Sequence, residues 1–124
     1  MKILIVDDSK MSRKLLRRAL PESITKDSEI YEATNGQEGV ATFEAERPDL
    51  TFLDLTMPIM DGFEALKLIK DIDQNADVVV VSADIQSEAV SRVLQLGARQ
   101  HMKKPANQDV MAKVVSESPA LSSQ

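Results

Sequence analysis

Three aspartates, a serine and a lysine each stand directly behind an apolar run of this 124-residue chain. Asp7 and Asp8 follow Ile3-Leu4-Ile5-Val6, Asp54 follows Leu50-Thr51-Phe52-Leu53, Ser82 follows four successive valines (78–81), and Lys104 follows the weaker stretch 99–103. Three carboxylates in one crevice repel: two like charges roughly 4 Å apart cost about 4 kcal/mol at an effective dielectric near 20. Such a cluster either raises a carboxyl pKa or takes up a cation. An all-oxygen donor set with few protein ligands suits Mg²⁺, which keeps several waters and shares itself with phosphate oxygens. A carboxylate can act as nucleophile and form an acyl phosphate. A cation and Lys104 together would offset the charge on a transferring phosphoryl group, and the Ser82 hydroxyl would donate to one of its oxygens. Taken singly, each residue has an ordinary use: strand-end aspartates cap helices, Asp54 precedes a turn at Pro58, Ser82 is a loop hydroxyl and Lys104 a solvated lysine. The joint placement, one functional group behind each run, is what points to chemistry.

That placement depends on the elements. The runs 3–6, 50–53 and 78–81 are near-continuous rather than alternating, as strands buried on both faces should be. A weaker strand is expected over 30–33, and a fifth over 99–103 from rhythm alone. Helical patterns fill the gaps. Met11, Leu15, Leu16, Ala19 and Leu20 share one stripe closed by Pro21 and Glu22. Asn35-Gly36 is a turn signal before Val40, Phe43 and Ala45. Asp61 and Glu64 suggest a capping box ahead of Phe63, Leu66 and Ile69. Ser87 is expected to cap a helix carrying Val90, Val93 and Leu94, with Gly97 just past its end. Asn107 is expected to cap the last helix, with Val110, Met111, Val114 and Val115. Strand and helix alternate five times, which predicts an α/β fold: a parallel sheet with right-handed crossovers and helices on both faces. In the flavodoxin-like strand order 2-1-3-4-5, strands 1 and 3 flank the switch point, and the three aspartates meet at the rim where such sheets bind ligands.

Composition narrows the function classes. One domain is expected over 1–115, followed at 116–124 by a serine-rich tail expected to be disordered. The net charge of −5 argues against a generic nucleic-acid surface. The opening apolar run is too short for a signal peptide, and no stretch approaches the ~18 apolar residues of a membrane span. There is no cysteine, so no disulfide or thiolate metal site is available, and a cytoplasmic setting is the expectation.

With these residues in view, the chain resembles the receiver domain of two-component response regulators, a flavodoxin-like, three-layer (βα)5 fold. Residues 3–9 are similar to the family's opening strand and acid pair. Leu53-Asp54-Leu55-Thr56-Met57-Pro58-Ile59-Met60-Asp61-Gly62 is similar to its phosphorylation loop, Val81-Ser82-Ala83 to its switch hydroxyl, and Lys103-Lys104-Pro105 to its lysine–proline pair. The resemblance implies that Asp54 is the phospho-acceptor and a direct Mg²⁺ ligand. It also implies that Asp8 binds the metal directly and Asp7 largely through water, and that Thr56 offers its backbone carbonyl. Ser82 and Lys104 would contact the phosphoryl group. A histidine kinase phosphohistidine or a small acyl phosphate would be the donor, and the domain would catalyse only its own phosphorylation and dephosphorylation. A downstream protein partner would read the face built from the fourth helix, fifth strand and fifth helix, about 87–115, with the protein a monomer or a phosphorylation-dependent dimer.

One departure bears on the switch. His101 stands where the family usually has tyrosine or phenylalanine, three residues before the lysine. A stand-alone, chemotaxis-type regulator is the expected function, with a receiver cut from a larger regulator as the rival. A haloacid-dehalogenase-type phosphatase would want a second acid two residues after the nucleophile, where this chain has Thr56. A flavin mononucleotide site would want a phosphate loop after the first strand, where Asp7-Asp8-Ser9-Lys10 would repel phosphate.

Overall fold

The computed structural model describes residues 1–84 and 86–122. Its elements, in chain order, are β1 (Lys2–Val6), α1 (Lys10–Ala19), α2 (Glu22–Thr25), β2 (Glu29–Ala33), α3 (Gly36–Glu46), β3 (Leu50–Leu53), α4 (Gly62–Ile72), β4 (Val78–Ser82), α5 (Ser87–Gln95), β5 (Gln100–Lys103), α6 (Gln108–Ser116) and α7 (Pro119–Ser122). All strand pairings are parallel, in the order β2-β1-β3-β4-β5. Register sets Val6 beside both Ala33 and Leu53, so the residues following β1 and β3 emerge side by side.

Strand alternation divides the core into two layers. Ile3, Ile5, Phe52, Val79, Val81 and Met102 pack under α1 and α6 with Leu16, Ala19, Met111 and Val114. Leu4, Val6, Leu53, Val78 and Val80 pack under α3, α4 and α5 with Phe43, Leu66, Ile69 and Val93. The four valines of β4 are all buried, and each fully buried side chain of this size contributes about 1.5–3 kcal/mol of transfer free energy.

The helix starts follow side-chain chemistry. Ser9, Asn35, Asp61 and Asn107 each accept a backbone N–H of the first turn of α1, α3, α4 and α6. Gly97 follows α5 with φ +105°, a left-handed conformation that favours glycine. Two expectations change in detail. Ser87 is already helical, so Gln86 occupies the cap of α5 and makes no side-chain cap bond. The stripe on α1 is narrower than its pattern: Leu16, Ala19 and Leu20 are buried, whereas Met11 and Leu15 are exposed. The chain after Pro21 forms the single turn α2.

Past α6 the chain is placed through Ser122, within the segment read as a tail. Ser118 is fully buried, and its hydroxyl donates to Asp77 Oδ2 at 3.1 Å. Asp77 also pairs with Arg99 (Nε to Oδ1, 2.6 Å), and Arg99 reaches the Val114 carbonyl at 2.9 Å. This clasp ties the ends of α6 and α7 to β4 and β5, at the sheet end away from the aspartates. Residues 123 and 124 lie outside the described residues. Among the described residues, no helix is long and apolar enough to cross a membrane.

Candidate functional site

The carboxyl ends of β1 and β3 bring the aspartates together. The Asp7 backbone N–H donates to Ala33 O (3.0 Å) and that of Asp54 to Val6 O (2.9 Å), so both residues continue the ladder for one step before the chain leaves the sheet. Carboxylate oxygens of Asp7, Asp8 and Asp54 lie within 4.8 Å of one another. Asp7 and Asp54 are buried, with 5% and 6% exposure, and Asp8 is exposed.

Lys104 enters from the end of β5. Its backbone N–H donates to Ser82 O at 3.0 Å, joining the ends of β4 and β5. Its ammonium stands 2.7 Å from Asp7 Oδ2 and 3.4 Å from Asp54 Oδ1. The Lys104–Pro105 peptide bond is cis. An open cavity of about 180 Å³ lies beside these groups, between α1 and the loop after β5, lined by Asp7, Ser12, Leu15, Lys104 and Ala106 among others.

Electrostatics follow from the crowding. Burial pushes the Asp54 carboxyl above the usual range and the nearby Asp7 adds to this, while Lys104 and the Leu55 N–H pull the other way without winning. For Lys104 burial alone would lower the pKa, but its contacts with Asp7 and Asp54 outweigh that and hold it above the ordinary lysine value. One ammonium faces three carboxylates, so the site carries uncompensated negative charge. All-oxygen, hard donors with surplus charge fit a divalent metal ion.

The remaining expected residues are arranged differently. Ser82 ends β4 and is buried, but its Oγ accepts the Asp84 N–H at 2.9 Å, so its hydroxyl is engaged with its own loop. Ile85 of that loop lies outside the described residues. Thr56 is exposed, two residues past Asp54. His101 lies on β5 beside Val80. Met102 turns into the layer under α1 and α6, so by alternation His101 faces the α5 side. Its Nε2 is buried with no hydrogen-bond partner among the described residues.

The loop between Asp54 and α4 is held from both sides. Gly62 N donates to Leu55 O (2.9 Å) and Gly36 N to Met60 O (3.0 Å). A Cβ on Gly62 would fall 2.0 Å from the Asp54 carbonyl oxygen, so the chain here requires the absence of a side chain. Two residues that touch the site escaped the sequence reading: Arg13 donates from NH1 to the Asp7 carbonyl at 2.7 Å, and Glu32 of β2 holds Arg13. The available signal was an arginine pair one turn apart (Arg13 and Arg17) and an acid near a strand end. Neither says which partner it meets until β2 and α1 are packed.

Comparison with known proteins gives a consistent result. A family model described as "Response regulator receiver domain" matches residues 3–116. The chemotaxis protein CheY of Bacillus subtilis is 35% identical over 116 residues, covering 94% of this chain and 95% of that protein. The CheY of Thermotoga maritima is 40% identical over 106 residues, covering 84% of this chain and 85% of that one. A chain in the crystal structure of the CheX–CheY–BeF3–Mg²⁺ complex from Borrelia burgdorferi superposes with a TM-score of 0.83 at 31% identity, covering 94% of this chain and 87% of that chain.

Proposed function

Because the chain belongs to the response regulator receiver domain family, we propose that it is a Mg²⁺-dependent switch that accepts a phosphoryl group on Asp54 from a histidine kinase and changes its affinity for a downstream protein. The observation that carries this reading is the pairing of a buried, charge-strained carboxylate with a lysine ammonium: Asp54 Oδ1 lies 3.4 Å from Lys104 Nζ, beside two further aspartates.

In the transfer, a carboxylate oxygen of Asp54 attacks phosphorus. The bond from phosphorus to the donor histidine nitrogen breaks, its electron pair stays on that nitrogen, and an acyl phosphate forms. Asp8 and Asp54 would hold Mg²⁺ directly, Asp7 through water and Thr56 by its backbone carbonyl, and the ion would supply positive charge against the phosphoryl oxygens. Lys104 moves from its carboxylate pairs to a phosphoryl oxygen. Ser82 exchanges the contact its hydroxyl donates to the Asp84 carbonyl (3.4 Å) for a hydrogen bond donated to another. The downstream partner binds the face of α5, β5 and α6; these are the fourth helix, fifth strand and fifth helix of the regular alternation, renumbered because α2 intervenes. A cytoplasmic setting goes with this reading.

The test is intact-mass measurement after incubation with acetyl phosphate and Mg²⁺. One phosphoryl addition is expected in the wild type and none in Asp54→Asn. Undiminished labelling of that variant would falsify the assignment.

A further inference from the structure

We infer that Arg13, clamped by Glu32, is a positioning residue for metal binding: it fixes the peptide plane between Asp7 and Asp8 and so aims the Asp8 carboxylate. This rests on the proposed function, in which Asp8 is a metal ligand.

Asp7 is held at every polar handle. Its N–H donates to Ala33 O, its Oδ1 accepts the Ser9 N–H at 2.9 Å, and its Oδ2 meets Lys104 at 2.7 Å. The remaining handle is its carbonyl, which belongs to the peptide that leads into Asp8. Arg13 NH1 donates to that carbonyl at 2.7 Å. Asp8 itself is exposed, and among the described residues no side-chain hydrogen bond holds it. Its direction is therefore set by the backbone it hangs from, and Arg13 is what orients that backbone on the carbonyl side.

Arg13 is suited to the task because it is itself held. Its Nε donates to Glu32 Oε1 at 2.8 Å, while Arg17, one turn along α1, donates to Glu32 Oε2 at 2.8 Å. The Arg13 side chain is 13% exposed against 45% for Arg17, so the first pair is the better shielded. A guanidinium can bridge a carboxylate and a carbonyl at fixed angles, and an ammonium cannot. Glu32 precedes Ala33, the residue whose carbonyl takes the Asp7 N–H, so β2 grips both sides of Asp7. Loss of partners that orient metal ligands typically weakens metal affinity by about 10–100-fold.

The experiment is calorimetric titration of the full chain with Mg²⁺ alone, with thermal melts and acetyl phosphate labelling rates alongside. Arg13→Gln is expected to weaken Mg²⁺ binding about tenfold. It should raise the Mg²⁺ concentration for half-maximal labelling by the same factor and leave the rate at saturating Mg²⁺ within about twofold of wild type. Arg13→Lys should fall between the two. If Arg13→Gln does not fold, Glu32→Gln carries the test, with a smaller but measurable loss of affinity. A folded Arg13→Gln, or failing it Glu32→Gln, that binds Mg²⁺ as tightly as wild type overturns the inference and leaves Arg13 a packing residue. A wild type that neither binds Mg²⁺ nor labels on Asp54 instead overturns the proposed function on which it rests.

Discussion

At the scale of single residues, the proposed acceptor site is a place where local stability is given up. Asp54 has a raised carboxyl pKa in the folded chain, first because it is buried and next because Asp7 is near. The sign follows from linkage. Below the ordinary aspartate value of 3.8 both folded and unfolded states are protonated and the group costs nothing. As pH rises from there through the higher folded-state pKa, the unfolded chain ionises first, so Asp54 subtracts stability, and the full loss is in place above that pKa. In metal-free buffer, Asp54→Asn is therefore expected to raise stability at pH 7 by on the order of 1 kcal/mol, a shift of a few degrees in Tm. The gain should shrink towards zero as pH falls below about 3.8. Chemical denaturation of both proteins at several pH values measures it, and an asparagine variant no more stable than wild type at pH 7 would show that Lys104 already compensates the charge. Added Mg²⁺ should reverse the ranking, since the wild type gains binding energy that the variant lacks.

At the scale of elements, the loop from Asp54 to α4 is a clamp between two backbones. Gly62 approaches the Asp54 carbonyl and the Leu55 Cα so closely that a methyl group would sit 2.0 and 2.7 Å from them. The obstructing atoms are backbone and cannot rotate aside. Gly62→Ala is accordingly expected to destabilise by about 1–3 kcal/mol, the usual cost of overpacking. It should also slow labelling by acetyl phosphate, because the displaced atoms carry the acceptor. Urea melts with parallel mass measurements check this; full labelling in a destabilised variant would separate the clamp from the chemistry. The glycine's place in the motif was legible in the sequence, and so were β1, β3 and β4, whose apolar runs are unbroken because both faces are covered. The caps Ser9, Asn35, Asp61 and Asn107 share a side-chain chemistry that sequence can display, though only Asp61 and Asn107 were read as caps and Asn35 as a turn signal. Less legible were β5, with a polar Gln100-His101 start at the sheet edge, and α2, a single turn set by tertiary packing. The clasp of Asp77, Arg99 and Ser118 was not legible at all, because its members are 22 and 41 positions from Asp77 and nothing local announces the pairing. For the same reason the five strand-end groups could be named in advance, whereas Arg13 and Glu32 could not.

At the scale of the whole molecule, the question is how a charge at one rim reaches a binding face. Ser82 and Lys104 are already linked through a backbone hydrogen bond, and Ser82 Oγ holds the Asp84 N–H. A phosphoryl oxygen that takes the Ser82 O–H would compete with the Asp84 carbonyl, which that hydroxyl reaches at 3.4 Å, and β5 carries His101, its buried Nε2 without a hydrogen-bond partner among the described residues, into the same region. On the proposed function the phosphoryl group acts as a ligand that favours one of two states. Moving an equilibrium from 1:99 to 99:1 takes about 5.5 kcal/mol of differential affinity, while one charge-assisted hydrogen bond contributes about 1.5–3. For a shift of that size the proposed Ser82 contact alone would be too weak, and the proposed Lys104 contact would have to add to it. Hydrogen exchange with and without beryllofluoride and Mg²⁺, at a concentration where the protein is monomeric, should therefore change protection across residues 82–104 beyond the acceptor loop. In Ser82→Ala the same changes should be smaller and still present. Their complete loss in that variant would put the whole switch on the hydroxyl. Changes confined to α1 and α2 would place the readout on another face, away from α5 and β5.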